Sequence, residues 1–232
     1  MKSRLPLLFL LSLLPAGRIP ATAAEPWFCM TPGRTLVYER IRASDGRPER
    51  SITMQITAVR ETGPGREVDY LFTMRSPGGA ALYGGTVPMT AEIDRDGGVR
   101  MDMGAAFSAV LHKMFPRAEQ CVTGEAALLP AGMKPGDRLP DAHCVTKTGV
   151  VSHTVDVTER EVLRFERIRV PAGEFDCVVL REHKVERGAG RNRDTVSENW
   201  YARGVGLVRH DSYRYNNSGK LIPEASEVLK KY

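Results

Sequence analysis

Alternation at a period of two is the feature that most narrows the folds open to this chain. Ile52, Met54, Ile56 and Ala58 point one way, and Thr53, Gln55 and Thr57 the other. That is the pattern of a strand with one buried and one wet face. Leu36, Tyr38 and Arg40 alternate with Val37 and Glu39 just before it, and Ser44-Asp45-Gly46-Arg47 forms the turn between. Glycine there accepts the positive φ that tight hairpins need. After the break at Gly63-Pro64-Gly65, Val68, Tyr70, Phe72 and Met74 resume the alternation, and Pro77-Gly78-Gly79 ends it. The second half repeats the scheme. Val151, His153, Val155 and Val157 open a run that reaches Val170, and Pro171-Ala172-Gly173 turns it. Phe175, Cys177 and Val179 face one side and Asp176, Val178 and Leu180 the other, so both faces are apolar and the strand is central. Gly188 to Asn192 forms a loop, and Leu207–Tyr215 and Leu221–Leu229 flank Asn216-Asn217-Ser218-Gly219 as a closing hairpin. The fold class expected is mainly β: a curved antiparallel sheet or half-open barrel.

One stretch keeps a different period. Met103, Phe107, Val110, Leu111 and Met114 form a helical stripe, with Asp102 as a cap and Pro116 as the stop. The spacing predicts one amphipathic helix over about 103–115, its apolar face packed on the sheet. From Thr123 to Pro140 the chain is rich in Pro and Gly, yet Leu128, Leu129, Met133 and Leu139 punctuate it. It reads as a long ordered connection, not a linker between domains.

The first 23 residues read as an export signal. Lys2 and Arg4 precede a Leu-rich run over Leu5–Leu14, and Ala21-Thr22-Ala23 offers a signal-peptidase site. The run is shorter than the ~20 residues that span a bilayer, so no transmembrane segment is expected. Residues 1–23 are therefore a signal peptide and 24–232 a single β-rich domain, exported to the periplasm, outer surface or medium. The signal holds Lys2, Arg4 and Arg18 and no acid, which leaves 30 basic and 28 acidic residues, net +2. Near-neutrality argues against a nucleic-acid partner. All four cysteines, Cys29, Cys121, Cys144 and Cys177, lie beyond the signal. An even count in an exported chain favours disulfides, with three possible connectivities. Pairing Cys121 with Cys144 would close a modest loop around the Pro/Gly-rich connection, contributing ~3 kcal/mol in the chain-entropy picture. Cys29 follows Pro26-Trp27-Phe28, which does not suit a lipid-anchor site.

Val170-Pro171-Ala172-Gly173-Glu174-Phe175-Asp176-Cys177, followed by Trp200-Tyr201-Ala202-Arg203-Gly204-Val205-Gly206-Leu207-Val208, resembles the TapB-like proteins. These are secreted, β-rich bacterial proteins without assigned function. Phe28-Cys29, Pro32-Gly33, Leu36-Val37-Tyr38, Lys134-Pro135-Gly136-Asp137 and Leu139-Pro140-Asp141-Ala142 extend the likeness over most of the chain after the signal. The shared motifs are turns and strands and carry no chemistry. The resemblance implies a Cys29–Cys177 disulfide, since both cysteines belong to it.

No G-x-S-x-G or H-E-x-x-H is present, and His112, His143, His153, His183 and His210 each stand alone. We assign no catalytic, cofactor-binding or metal-ligating residue and no cofactor. His143-Cys144 with His153 has metal-ligand types, but a disulfide is the better use of Cys144. Arg187, Arg191 and Arg193 read as a solvated hairpin tip. Met54, Met74, Met89, Met101, Met103, Met114 and Met133 suit either an ordinary core or an adaptable pocket lining. The function expected is a non-enzymatic binding or structural and interaction role, with an envelope protein as a possible partner. The alternatives are a periplasmic carrier of an apolar ligand such as a lipid, and an unrecognised hydrolase.

Overall fold

The computed structural model describes residues 24–101, 104, 108, 111–112, 116–188, 190 and 192–232. The strands are β1 (Thr35–Arg42), β2 (Pro48–Thr62), β3 (Gly65–Arg75), β4 (Ala81–Asp94), β5 (Val99–Met101), β6 (Gln120–Gly124), β7 (Ala127–Leu129), β8 (Ala142–Thr148), β9 (Val151–Val170), β10 (Gly173–Gly188), β11 (Arg193–Ala202), β12 (Gly206–Tyr215) and β13 (Leu221–Lys231). They form one sheet in the order β6-β8-β9-β10-β11-β12-β13-β1-β2-β3-β4-β5-β7, and neighbours run antiparallel. Two meanders, β1–β5 and β8–β13, meet where β1 pairs with β13.

The rims of this sheet are β6 and β7, and only Glu125 and Ala126 separate them in the chain. The sheet therefore curls until its rims face each other, without a ladder between them among the described residues. Gly124 makes the junction possible. Its φ is +126°, and a Cβ there would lie 2.0 Å from the His143 carbonyl oxygen. Only glycine fits both demands.

One end of the curl is filled by the segment before β1. Trp27, Phe28 and Cys29 are buried in the core with Leu36, Val178, Leu180 and Leu229. Trp27 Nε1 donates to the Pro130 carbonyl at 3.1 Å. The Arg203 guanidinium stacks 4.0 Å from the Trp27 ring and donates to the Ala131 carbonyl at 2.7 Å. The Pro/Gly-rich connection is ordered, as its punctuating apolar groups predict: Met133 and Leu139 are buried. Gly136 N–H donates to Val162 O, and Leu139 N–H to Arg160 O, at 2.7 and 2.9 Å.

Arg160, on β9, binds these parts together. Its side chain is fully buried. Nε donates to Glu182 Oε1 on β10 at 2.8 Å, Nη1 to Pro140 O at 2.9 Å, and Nη2 to Leu128 O on β7 at 3.0 Å. One side chain thus links the β7 rim to strands near the β6 rim.

The disulfide expectation is corrected. Neither disulfide is present: no two of the four cysteines are bridged. Cys121 stands opposite Lys147 and Cys144 opposite Gly124, three positions along the ladder, or roughly 10 Å. Cys121 is also exposed while Cys144 is buried. Cys29 lies in the core, and the Cys177 thiol turns to Phe175 O at 3.7 Å. The helix expected over 103–115 lies mostly outside the described residues, as does the leader over 1–23. Ser108, Leu111 and His112 are helical, and Ser108 N–H donates to Gly104 O at 2.7 Å. No helix stands among the described elements. The mainly β class stands without it. No helix among the described residues is long and apolar enough to cross a membrane, which leaves barrel-type crossing untouched.

Replacing Arg160 with Ala strands the Glu182 carboxylate and frees two buried carbonyls. Urea unfolding of R160A should show a loss of roughly 3–5 kcal/mol. Thiol titration of the native protein should find one reactive group, Cys121, and four after denaturation, against none if both bridges existed.

Candidate binding lumen

Residues directly opposite on a ladder share a face. Tyr38 stands opposite Ile52, Ile52 opposite Met74, Met54 opposite Phe72, and Ile56 opposite Tyr70. This apolar band covers the inner wall of β1–β3. Opposite it, Tyr201 and Leu207 come from β11 and β12, and Trp27 and Phe28 close the end. The chamber, open on one side, measures about 270 Å³. Gly206, at φ +96°, turns the chain beside the Phe28 backbone, a conformation that favours glycine. Burial pushes the Tyr38 and Tyr201 phenols up, so both remain protonated. Tyr38 uses its hydroxyl to donate to Leu207 O at 3.0 Å.

A polar row runs beside this band. Leu180 faces Asn199, Asn199 faces His210, His210 faces Glu227, Glu227 faces Arg40 and Arg40 faces Arg50, across six adjacent strands. The row borders a second chamber of about 350 Å³ that also takes in Glu182, Lys184, Glu186 and Ser197. Met101, Tyr201, Leu207 and Glu227 line both chambers. The two chambers are therefore adjacent and share a wall, one apolar and the other charged.

The charges are arranged in pairs. Arg50 Nη2 meets Glu227 at 3.3 Å, Arg160 meets Glu182 at 2.8 Å, and Lys184 meets Glu186 at 3.9 Å. Arg40, buried, spans Glu49 at 3.1 Å, Ser212 Oγ at 2.9 Å and Glu224 at 3.4 Å. Arg50 Nε is buried without an acceptor. Asn199 Nδ2 donates to Glu182 Oε2 at 2.9 Å and Ser197 Oγ at 3.3 Å. Its Oδ1 is then an acceptor, so His210 Nδ1, 2.6 Å away, carries the proton. His210 Nε2 is left as an acceptor. Burial, then the cations Lys184, Arg40, Arg50 and Arg193, push the imidazole down to about 3. It is neutral at physiological pH.

A third cleft of about 760 Å³ lies between the rims, lined by Tyr70, Met89, Thr90, Val122, Glu125 and Cys144 among others. Tyr70 also lines the apolar chamber.

The residues weighed from sequence scatter. His143 pairs with Asp156 at 2.5 Å and His183 with Asp194 at 2.7 Å, both on exposed faces. His143 is exposed and Cys144 buried, so neighbours on β8 face opposite ways and cannot share a metal with His153. No group of three His, Cys, Asp or Glu among the described residues could hold one. Arg193 is tied to Glu224, and Arg187 lies near Asp156; Arg191 is outside the described residues. Met54 and Met101 line the apolar chamber, Met89 the rim cleft, and Met133 the core; Met103 and Met114 are outside the described set. Trp200 is buried on the outer face under Arg164 and Arg209 and donates to Glu166 at 2.9 Å. The polar row went unread as a unit because its members come from six strands and meet only across the ladders. Glu182, Lys184 and Glu186 at alternate positions, continuing the face of Val178 and Leu180, were the available signal.

A model of the family described as DUF3108-like matches residues 32–226. Two solved structures are similar. One is a protein from Bacteroides fragilis described as exported, with YmcC-like fold: 22% identity, TM-score 0.69, covering 90% of this chain and 99% of that one. The other, from Parabacteroides distasonis, is described as a lipoprotein: 19% identity, TM-score 0.70 and the same coverage. No curated protein matches the chain. The matches do not carry the TapB-like name that the motifs suggested; they support a β-rich family without assigned role.

Below the ordinary imidazole value of 6.5, the unfolded chain binds a proton at His210 that the folded chain refuses, so folding stability falls as pH falls. Between pH 7 and 5 the melting temperature of the native protein should drop more steeply than that of H210Q; equal slopes would show that His210 is protonated in place.

Proposed function

We propose, for a chain that belongs to the DUF3108-like family, a non-enzymatic role in binding an amphiphile inside the curled sheet. The apolar part of the ligand lies against Tyr38, Met54, Phe72 and Leu207, and the polar part among Asn199, His210 and Glu227. The observation that carries this reading is the adjacency of an apolar and a charged chamber that share four lining residues. Ligand sites are concave and mostly apolar, with a few polar groups that fix orientation. Their volumes run roughly 300–1,000 Å³, and the two chambers together suit that class.

Binding is favoured over hydrolysis by the partners of the one histidine in the lumen. His210 is held by an amide, and Ser197 meets Asn199, not the imidazole. A serine hydrolase needs the hydroxyl and the ring nitrogen in mutual contact. Export is part of the proposal. The leader-like start supports it, and so do the descriptions of the two structural relatives. An exported apolar-ligand carrier is the specific form of binding role we favour.

The test is direct. Protein purified without detergent should either carry an amphiphile seen by native mass spectrometry or, once delipidated, take up a naphthylamine-type fluorescent probe at one site. Met54→Trp fills the apolar chamber and should weaken the probe by at least about tenfold, ~1.4 kcal/mol, while the protein still melts cooperatively. A lumen that stays dark to probe and empty of lipid, or an M54W variant that binds as well as the native chain, overturns the proposal.

A further inference from the structure

The chemistry of the polar chamber sets what kind of head group the lumen admits, an inference that rests on the binding role just proposed. Among the described residues the chamber is balanced: Arg50 against Glu227, Arg160 against Glu182, Lys184 against Glu186. His210 contributes no charge, held by Asn199 and surrounded by cations. An incoming carboxylate would find each cation already facing a glutamate, and an incoming ammonium would find each glutamate already facing a cation. Either would lose hydration without gaining an unshared partner, and an unpaired charge in a low-dielectric site is expensive.

What the chamber does offer is hydrogen-bonding capacity without net charge. His210 Nε2 is an acceptor, because Nδ1 is the protonated nitrogen. Ser197 Oγ, which accepts from Asn199 Nδ2, brings an O–H donor to the same wall. The carboxylates have lone pairs beyond those used in their ion pairs. Groups that both donate and accept, as hydroxyls do, match such a surface. We infer that the lumen selects single-chain amphiphiles with a net-neutral, hydroxyl-rich head, and discriminates against both fatty-acid anions and alkylammonium cations.

The experiment compares three ligands with the same tail: lauryl maltoside, laurate and lauryl trimethylammonium. Each is kept below its micelle concentration and titrated against the delipidated full chain by calorimetry and by displacement of the naphthylamine probe. The maltoside should bind at least about tenfold more tightly than either charged ligand. In E227Q, Arg50 loses its partner. Laurate should then gain about tenfold relative to the maltoside, with thermal melts confirming that the variant folds. E186Q, which uncovers Lys184, should shift preference the same way. If laurate or the ammonium binds the native protein as well as the maltoside, or E227Q and E186Q both leave laurate unchanged, the head-group inference fails while the binding role stands. If none of the three displaces the probe, or the probe itself does not bind, the binding role fails and takes this inference with it.

Discussion

Glu125 and Ala126 are all that stands between the two outermost strands, so a thirteen-stranded sheet is obliged to curl until its rims face each other. Twist alone brings wide antiparallel sheets toward closure; here the chain makes it compulsory. Gly124 permits the tight junction, and Arg160 holds the result. That guanidinium is buried with an acceptor for each of its three nitrogens: a glutamate and two main-chain carbonyls. A buried cation is tolerable only when so fully satisfied, and removing one partner exposes the whole desolvation penalty. The inner wall therefore depends on a contact between residues far apart along the ladder order.

Curling divides the sheet into two unlike surfaces. The inner face is apolar where β1–β3 meet the Trp27 segment, and charged where β10–β13 meet β1 and β2. The outer face carries its own belt, with Trp200 between two arginines and hydrogen-bonded to Glu166. The Glu166 carboxyl is held below the usual range by the Trp200 N–H first and by Arg164 next, with burial working against it. Exposed ion pairs of this kind contribute little individually; here they cover the Trp200 indole, which is buried beneath them.

The strands were legible because alternation and turn residues act locally. Ile52 to Ala58 and Val68 to Met74 form strands as their pattern requires, and Gly63-Pro64 and Pro171-Ala172 fall between strands. The ordered course of residues 130–140 was legible from Met133 and Leu139. The cysteine pairing was not, because export and even count say nothing about register: Cys121 and Cys144 sit on one ladder at positions that do not meet. The lumen was half legible. Met54 was named as a possible lining, but the charged row was not picked out, since a sequence shows which residues share a face and not whether that face turns inward. Only the joining of β6 to β7, a long-range fact, decides that.

Between the rims no backbone ladder is present among the described residues, whereas elsewhere neighbouring strands are laced by main-chain hydrogen bonds. Parting the wall along that line breaks no ladder between β6 and β7, but it strains the Arg160 clasp and the main-chain bonds that tie the 130–140 connection to β9; parting it anywhere else unzips a sheet. The molecule thus has a built-in slit, and the girth of a guest is limited less by the bore at rest than by how far two tethered lips can spread.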